Sequence, residues 1–127
     1  NTFSKKRVKI QQKLYGRYPT KKIKINKLTI DDLIKLIANK ELHFLNIDIE
    51  GVEYGIIKSL LNKKILPWCI AIEELGKTCE NISNSKIKKF MNKKGYFLAS
   101  RTFLTSIYIR KNILKKLPSK YIKELHL

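Results

Sequence analysis

The sequence has few of the residues that most often build metal sites, phosphate-binding loops and arginine-rich surfaces. Its 127 residues include two cysteines, two histidines, five glycines and four arginines. Cys69 and Cys79 are not spaced as a CxxC pair and have no histidine beside them, which argues against a zinc motif. The glycines form no G-x-G arrangement, so no turn is predicted that would let the backbone approach a ligand closely.

Long apolar runs are also missing. No segment approaches the length of a membrane span, and residues 1–10 are basic and polar, without the apolar core of a signal peptide. We therefore expect a soluble, cytoplasmic protein in which Cys69 is a small buried hydrophobe. The chain length and a hydrophobic content of 43% predict one compact unit with its own core.

Basic residues are abundant, and a formal net charge of +18 would ordinarily indicate nucleic acid or an anionic membrane as a partner. However, 24 of the 28 basic residues are lysines, and the chain also has 19 isoleucines and 9 asparagines, a joint bias expected from A- and T-rich coding DNA. The lysines are scattered without a dense block. A solvated surface is therefore favoured, and nucleic acid stays as the alternative partner.

Hydrophobic periodicity predicts alternating strands and helices. Residues 1–22 are predicted to be a basic loop or excursion with room for a short helix, and residues 111–127 a broken basic helix or a tail. Strands are predicted at residues 23–28, 42–49, 68–72, 96–100 and 104–109, and helices at residues 30–39, at 53–63, and from a cap at Ser83 or Asn84 to a stop at Gly95. Two strands are apolar on both faces, as in parallel sheets, while the last two are joined too closely for a crossover and should form an antiparallel hairpin.

Carboxylates collect where the strand at residues 42–49 ends. Asp48 and Glu50 share one face of this strand, roughly 7 Å apart at the usual rise per residue. Repulsion between like charges this close favours the binding of a proton by one of the two carboxylates. That carboxylate is then a better proton acceptor near neutrality. Open α/β sheets bind ligands beyond the carboxyl ends of their strands, so we predict a site at this position.

Each residue of this segment also has a structural interpretation. Asp48 could cap the amides of the next helix, and Glu50 could pair with a lysine. Glu53 suits the first turn of a helix, where the dipole favours negative charge. Gly51 suits a tight turn between strand and helix. The functional interpretation is favoured only for Asp48, and the two interpretations of Glu50 are equally supported.

The other candidates lie at the ends of other elements. Glu73 ends the strand at residues 68–72 and is expected to face the same cleft as Asp48. The side chain of Glu74 is expected on the opposite face of the strand from Glu73, where it would be solvated. Thr29 and Asp32 have the spacing of a capping box and should begin the helix at residues 30–39.

Four short motifs together resemble the FkbM-like family of S-adenosylmethionine-dependent methyltransferases. Residues 45–53, LNIDIEGVE, are similar to the family signature LKIDIEGxE, with Asn46 where lysine is usual. Three further segments are similar to family elements in the right order: residues 28–33 to vTLDdl, residues 67–73 to P..i..E, and residues 95–96 to a glycine-tyrosine pair. The resemblance covers roughly residues 23–110 and is most specific around Asp48.

This resemblance implies a class I, Rossmann-like methyltransferase fold: a three-layer α/β sandwich with a mostly parallel sheet and a C-terminal antiparallel hairpin. Residues 23–110 would be the C-terminal part of that domain. The family's glycine-rich cofactor half has no counterpart in the sequence, which implies a partial domain that is poorly active by itself.

The resemblance also implies an activity, which is methyl transfer from S-adenosylmethionine to an oxygen of a small molecule, glycan or lipid-like acceptor. Asp48 would lie beside the cofactor and take the acceptor's proton or orient the substrate, with Glu50 and Glu73 assisting; participation of a metal stays open. The alternative is a basic α/β module that binds nucleic acid without catalysis.

Overall fold

The computed structural model describes residues 5–18, 21, 23–24, 26–37, 40–49, 51–74, 78 and 81–119. Its helices are α1 (Lys5–Tyr15), α2 (Ile30–Ile37), α3 (Glu53–Asn62) and α4 (Lys86–Lys93). Its strands are β1 (Phe44–Ile47), β2 (Cys69–Glu73), β3 (Tyr96–Arg101) and β4 (Thr105–Arg110). Short 3-10 helices, Ile82–Asn84 and Lys111–Lys116, precede α4 and follow β4. The mixed α/β class predicted from the sequence is confirmed.

The four strands form one sheet in the order β1-β2-β4-β3. β1 and β2 are parallel and are joined through α3, whereas β4 is antiparallel to both of its neighbours, β2 and β3. The C-terminal hairpin is therefore confirmed. The expectation of a mostly parallel sheet is not met among the described strands, because the second hairpin strand lies beside β2 and makes two antiparallel pairs.

One face of this sheet carries the core. Side chains two apart on a strand point to the same face, and Ile70 and Ile72 of β2 are fully buried there beneath Ile57 of α3 and Met91 of α4. Burial of each such side chain contributes about 1.5–3 kcal/mol. The whole cluster consists of Ile47, Ile57, Leu61, Ile70, Ile72, Met91, Tyr96 and Tyr108. Its packing holds α3 and α4 against this face of the sheet.

The predicted strand at residues 23–28 is wrong for the residues that the structure describes there. None of them is in a strand, and the side chains of Ile23 and Leu28 are 72% and 66% exposed. Alternation gives a segment one apolar face but no hydrogen-bond partner, and a strand is stable only when a neighbouring strand pairs with it. Among the described strands, β1 pairs with β2 alone.

The start of α4 also differs from the prediction. Ser83 and Asn84 lie in the preceding 3-10 turn, and the N-cap is Ser85, whose hydroxyl oxygen accepts a hydrogen bond from the Lys88 amide at 3.2 Å. The 3-10 turn has its own backbone bond, from the Ser85 amide to the Ile82 carbonyl at 2.9 Å. The α-helix is therefore capped one or two residues later than predicted, because the 3-10 turn takes up Ser83 and Asn84.

Both terminal regions contain helical structure. Within residues 1–22, α1 is a helix of eleven residues. After β4, the 3-10 helix Lys111–Lys116 buries the side chain of Ile113. Residues 120–127 of the predicted basic tail lie outside the described residues.

Candidate functional site

Two of the predicted site residues follow paired positions on neighbouring strands. Ile47 and Ile72 are register partners in the parallel β1–β2 pair, and Asp48 and Glu73 come directly after them. Adjacent strands lie about 4.8 Å apart, so the two carboxylates lie close together at the carboxyl-terminal end of this strand pair. Asp48 is exposed and Glu73 is half-buried.

The turn from β1 to α3 is held by Glu53, whose side chain is buried. Its carboxylate accepts hydrogen bonds from the Gly51 amide, at 2.8 and 3.0 Å to the two oxygens, and from the Ile49 amide at 3.3 Å. Val52 is the N-cap of α3 and provides no side-chain cap. Glu53 therefore holds the turn through the amides of Ile49 and Gly51, which precede α3. Glu50 lies outside the described residues.

Gly51 has a φ of +109°, a backbone conformation that side chains with a Cβ rarely adopt. A Cβ at this position would meet no atom within 4 Å, so the cost of Gly51→Ala is backbone strain alone. We expect Gly51→Ala to lower the free energy of unfolding by about 1–2 kcal/mol in urea denaturation.

Gly55 is the matched control for this substitution. It lies in α3, where an added Cβ would also meet no atom within 4 Å, but its φ is not positive. Gly55→Ala should leave the stability unchanged or raise it by up to about 1 kcal/mol, because alanine favours the helix. Equal effects of the two substitutions would contradict a strained turn at Gly51.

A cavity of about 260 Å³ opens at this end of the sheet. Its walls come from the start of α3, the end of β2 and the start of α4: Gly51, Glu53, Tyr54, Glu73, Glu74, Ser85, Lys86 and Ile87. The Lys86 ammonium lies 4.2 Å from the centre of the Tyr54 ring, a distance typical of a cation–π contact. With three carboxylates and one lysine in its walls, the cavity has the opposite charge sign to the protein as a whole.

Glu74 differs most from its prediction. It was expected to be solvated, but its side chain is only 5% exposed. Because it lies two residues beyond Ile72, it shares the core face with Ile70 and Ile72. One carboxylate oxygen accepts a hydrogen bond from the Tyr108 hydroxyl at 2.8 Å, and the other accepts one from the Ser85 hydroxyl.

The network around Glu74 connects four elements: β2, β3, β4 and α4. Burial raises the pKa of Tyr108 well above its ordinary value, and the bond to Glu74 raises it further, so this hydroxyl stays protonated and donates. Arg101 donates to the Glu74 carbonyl at 3.1 Å and to the Ser106 hydroxyl at 2.5 Å. The alternation of β2 could have placed Glu74 on the core face, but no sequence signal indicated that Tyr108 and Arg101 would reach it.

A family model, the methyltransferase FkbM domain, matches residues 1–98 of the chain. The chain belongs to the FkbM methyltransferase family. This confirms the resemblance drawn from residues 45–53, and the matched region runs from the N-terminus through α1, β1 and β2 into β3. Neither a curated protein nor a solved structure matches the chain with significance.

In this FkbM-family chain, Thr29 lies apart from the cavity, at the start of α2. Its amide and hydroxyl donate to the Asp32 carboxylate at 2.9 and 2.7 Å, and the Asp32 amide donates back to its hydroxyl oxygen at 3.2 Å. These bonds hold the pKa of Asp32 below its usual value. The arrangement is a capping box, so Thr29 contributes to the helix start.

Three further observations concern the described residues of this FkbM-family member. Among the described residues, no three side chains of histidine, cysteine, aspartate or glutamate come together as a metal site requires. Cys69 is a half-buried free thiol, and burial raises its pKa. Within the same ranges, no helix has both the length and the apolar character needed to cross a bilayer.

Proposed function

We propose that this FkbM-family chain is the acceptor-side part of an S-adenosylmethionine-dependent O-methyltransferase, with Asp48 as its general base. The observation that carries this proposal is the position of Asp48: it is exposed, directly follows β1 within the family signature, and lies beside Glu73 at the carboxyl edge of the parallel pair. Ligands of open α/β sheets bind at this edge.

The proposed reaction needs a proton acceptor because the nucleophile is a hydroxyl. When bound, the cofactor supplies an electrophilic methyl group on a sulfonium, and the C–S bond breaks as the C–O bond forms. Asp48 takes the hydroxyl proton and holds the acceptor oxygen in line with the methyl group, which supplies much of the rate. Glu73 orients the acceptor from the end of the neighbouring strand, and Glu50 is proposed to assist Asp48.

The residues around the cavity are suited to bind part of the cofactor or of the acceptor. Carboxylates accept hydrogen bonds from ribose or acceptor hydroxyls, and the contact between Lys86 and the Tyr54 ring supports the view that a positive charge is tolerated here. The volume of about 260 Å³ is smaller than the roughly 300–1,000 Å³ of typical small-molecule sites. The described residues therefore account for part of the complete site in this proposal.

The remaining part, in this proposal, is a cofactor-binding half that adds parallel strands beside β1 and completes the three-layer sandwich. β1 is an edge strand of the described sheet, and its Phe44 side chain is 58% exposed. An edge strand offers unpaired backbone groups to a further strand. Residues 23–110 would then be the C-terminal part of the domain, and the isolated chain would be poorly active.

The acceptor is proposed to be a small molecule, a glycan or a lipid-like compound with a free hydroxyl group. The family supports methyl transfer, and a carboxylate base suits an oxygen nucleophile. A nucleic-acid acceptor is not advanced, because the three carboxylates in the cavity walls would repel phosphates.

The test is calorimetric titration of S-adenosylmethionine into the gene product extended upstream to its start codon and into the 127-residue chain. We expect micromolar binding by the extended product and none by the shorter chain. ATP, which shares the adenosine group but has no sulfonium, is the control ligand. A folded extended product that fails to bind would overturn the proposed activity, while micromolar binding by the shorter chain would overturn only the partial-site interpretation.

A further inference from the structure

A second cavity, of about 210 Å³, lies at the opposite end of the sheet from Asp48. We call it the amino-end cavity, because it opens where β1 and β2 begin and β4 ends. Its walls contain three cations and one carboxylate, the reverse of the cavity at the carboxyl end. The lining residues are Lys40, Glu41, Leu42, Lys64, Ile65, Leu66, Trp68 and Arg110.

Arg110 is the cation that the fold holds in place. Its Nη1 donates a hydrogen bond to the Leu66 carbonyl at 2.8 Å, and its Nε donates to the side chain of Asn112. These bonds use two of the five N–H groups of a guanidinium and fix its plane, so the other groups are already oriented for an oxyanion. Only four of the 28 basic residues are arginines, so the lysine bias of the chain does not account for this one.

Lys64 follows α3 in a backbone conformation that usually belongs to glycine. Its φ is +63°, and among the residues that the structure describes it is the one residue other than glycine with a positive φ. Its amide donates to the Leu61 carbonyl at 3.3 Å and the Ile65 amide donates to the Leu60 carbonyl at 3.1 Å, which is the pattern of a Schellman motif. A binding role for its ammonium would account for a lysine at this strained position.

Glu41 does not neutralise the three cations of the walls. Its carboxylate accepts hydrogen bonds from the Trp68 indole at 2.8 Å and from the Lys116 ammonium at 3.3 Å. Lys116 lies outside the lining residues, and its charge offsets that of Glu41. The walls of the amino-end cavity therefore carry an excess of positive charge.

We propose that the amino-end cavity binds the phosphate group of a small molecule. A phosphate monoester carries about two negative charges at neutral pH and has three oxygens that accept hydrogen bonds. The planar Arg110 guanidinium suits two of these oxygens, and the ammonium groups of Lys40 and Lys64 balance the charge. A carboxylate ligand has a single charge and would leave part of this excess unbalanced. The inference does not depend on the proposed methyl transfer.

Trp68 provides the measurement, because it is the single tryptophan of the chain and lies in the cavity wall. Its indole N–H resonance is followed by NMR during titration with inorganic phosphate, glycerol 3-phosphate or acetate at equal ionic strength. We expect both phosphates to shift the resonance to saturation and acetate to bind at least about tenfold more weakly. Tighter binding of glycerol 3-phosphate would identify an organic phosphate as the ligand, and equal binding would identify the ion itself.

The titration is carried out on the 127-residue chain and on the gene product extended upstream to its start codon. The extended product tests whether the cavity stays open when the proposed cofactor half is present. Trp68→Phe identifies the resonance in that larger protein. We expect the same saturation in both proteins, because the proposed additional strands lie beside β1 and not beyond the ends of β2 and β4.

Two variants test the proposed phosphate ligands. Arg110→Gln should raise the Kd for phosphate by roughly tenfold to 100-fold, since it removes charged hydrogen bonds. Lys40→Gln/Lys64→Gln should raise it by roughly tenfold, because two exposed ion pairs are lost. The control Lys58→Gln/Lys89→Gln removes two exposed lysines from α3 and α4 and should stay within about twofold of the parent, since distant charges are screened. Circular dichroism verifies that each variant is folded.

Lys64→Gly separates binding from backbone strain. Glycine adopts a positive φ without cost, so this variant should have a higher urea midpoint than the parent chain. Its phosphate affinity should fall as much as that of Lys64→Gln, which loses the charge but keeps the strain. A Lys64→Gly variant that binds phosphate as tightly as the parent would assign this lysine to composition alone and contradict its role.

Three results would overturn the inference as a whole. One is an indole resonance that phosphate shifts no more than acetate does, since salt screening would then explain the shift. Another is an equal loss of phosphate affinity in the cavity variants and in Lys58→Gln/Lys89→Gln. The third is phosphate binding by the 127-residue chain that is absent from the extended product, because the cavity would then be covered in the larger domain.

Discussion

Asp48→Asn is expected to lower kcat/KM of the extended methyltransferase by about 100-fold to 10,000-fold, the range over which general bases contribute. Asparagine has nearly the same shape as aspartate, but its amide cannot take the proton of the acceptor hydroxyl. S-adenosylmethionine affinity should fall less than about tenfold, a cost of under 1.4 kcal/mol, because only one charge is lost. Initial rates of methyl transfer and calorimetric titration of the cofactor measure the two quantities separately.

The control for this substitution is Asp31→Asn. Asp31 is also an exposed aspartate, but it lies on α2 and forms an ion pair with Lys63 of the segment after α3. Its replacement should leave the rate unchanged, because exposed ion pairs contribute little. Similar losses in both variants, or a loss confined to cofactor affinity in Asp48→Asn, would argue against a general base at Asp48.

Glu74→Ala is expected to lower the free energy of unfolding by about 3 kcal/mol, because it leaves the buried hydroxyls of Tyr108 and Ser85 without their acceptor. This is a large fraction of the roughly 5–15 kcal/mol that stabilises a typical domain. The loss should appear in urea denaturation as a lower midpoint at an unchanged slope.

Two variants test whether burial is the cause. Glu41 is an exposed carboxylate that accepts a hydrogen bond from the Trp68 indole at 2.8 Å, so Glu41→Ala should shift the urea midpoint much less than Glu74→Ala does. Adding Tyr108→Phe to Glu74→Ala removes one unpaired hydroxyl, and the double variant should be more stable than the sum of the single effects predicts. Strict additivity, or equal losses in Glu74→Ala and Glu41→Ala, would contradict the buried network.

Elements with strong local periodicity were predicted well. The helix predicted at residues 53–63 corresponds to Glu53–Asn62, the strand predicted at residues 68–72 to Cys69–Glu73, and the hairpin has the predicted antiparallel pairing. In each case the apolar spacing agrees with the packing that the fold provides. The segment at residues 23–28 has a comparable alternation, but it has no pairing in its described residues, because alternation does not supply a partner strand.

The positions of the acidic residues also divide into those that the sequence predicted and those that it did not. Chain order alone placed Asp48 and Glu73 at the ends of neighbouring strands, because the carboxyl ends of parallel strands lie at the same end of a sheet. The sequence also predicted Glu53 in the first turn of α3. The roles of these residues in catalysis stay predictions.

Only the tertiary structure decided the burial of Glu74. Its hydroxyl donor Tyr108 is 34 residues away in the chain and comes close because β4 lies between β2 and β3. Ser85 reaches it because α4 begins after the 3-10 turn. Periodicity reports which face a side chain occupies, whereas the polar partners on that face depend on how distant elements pack.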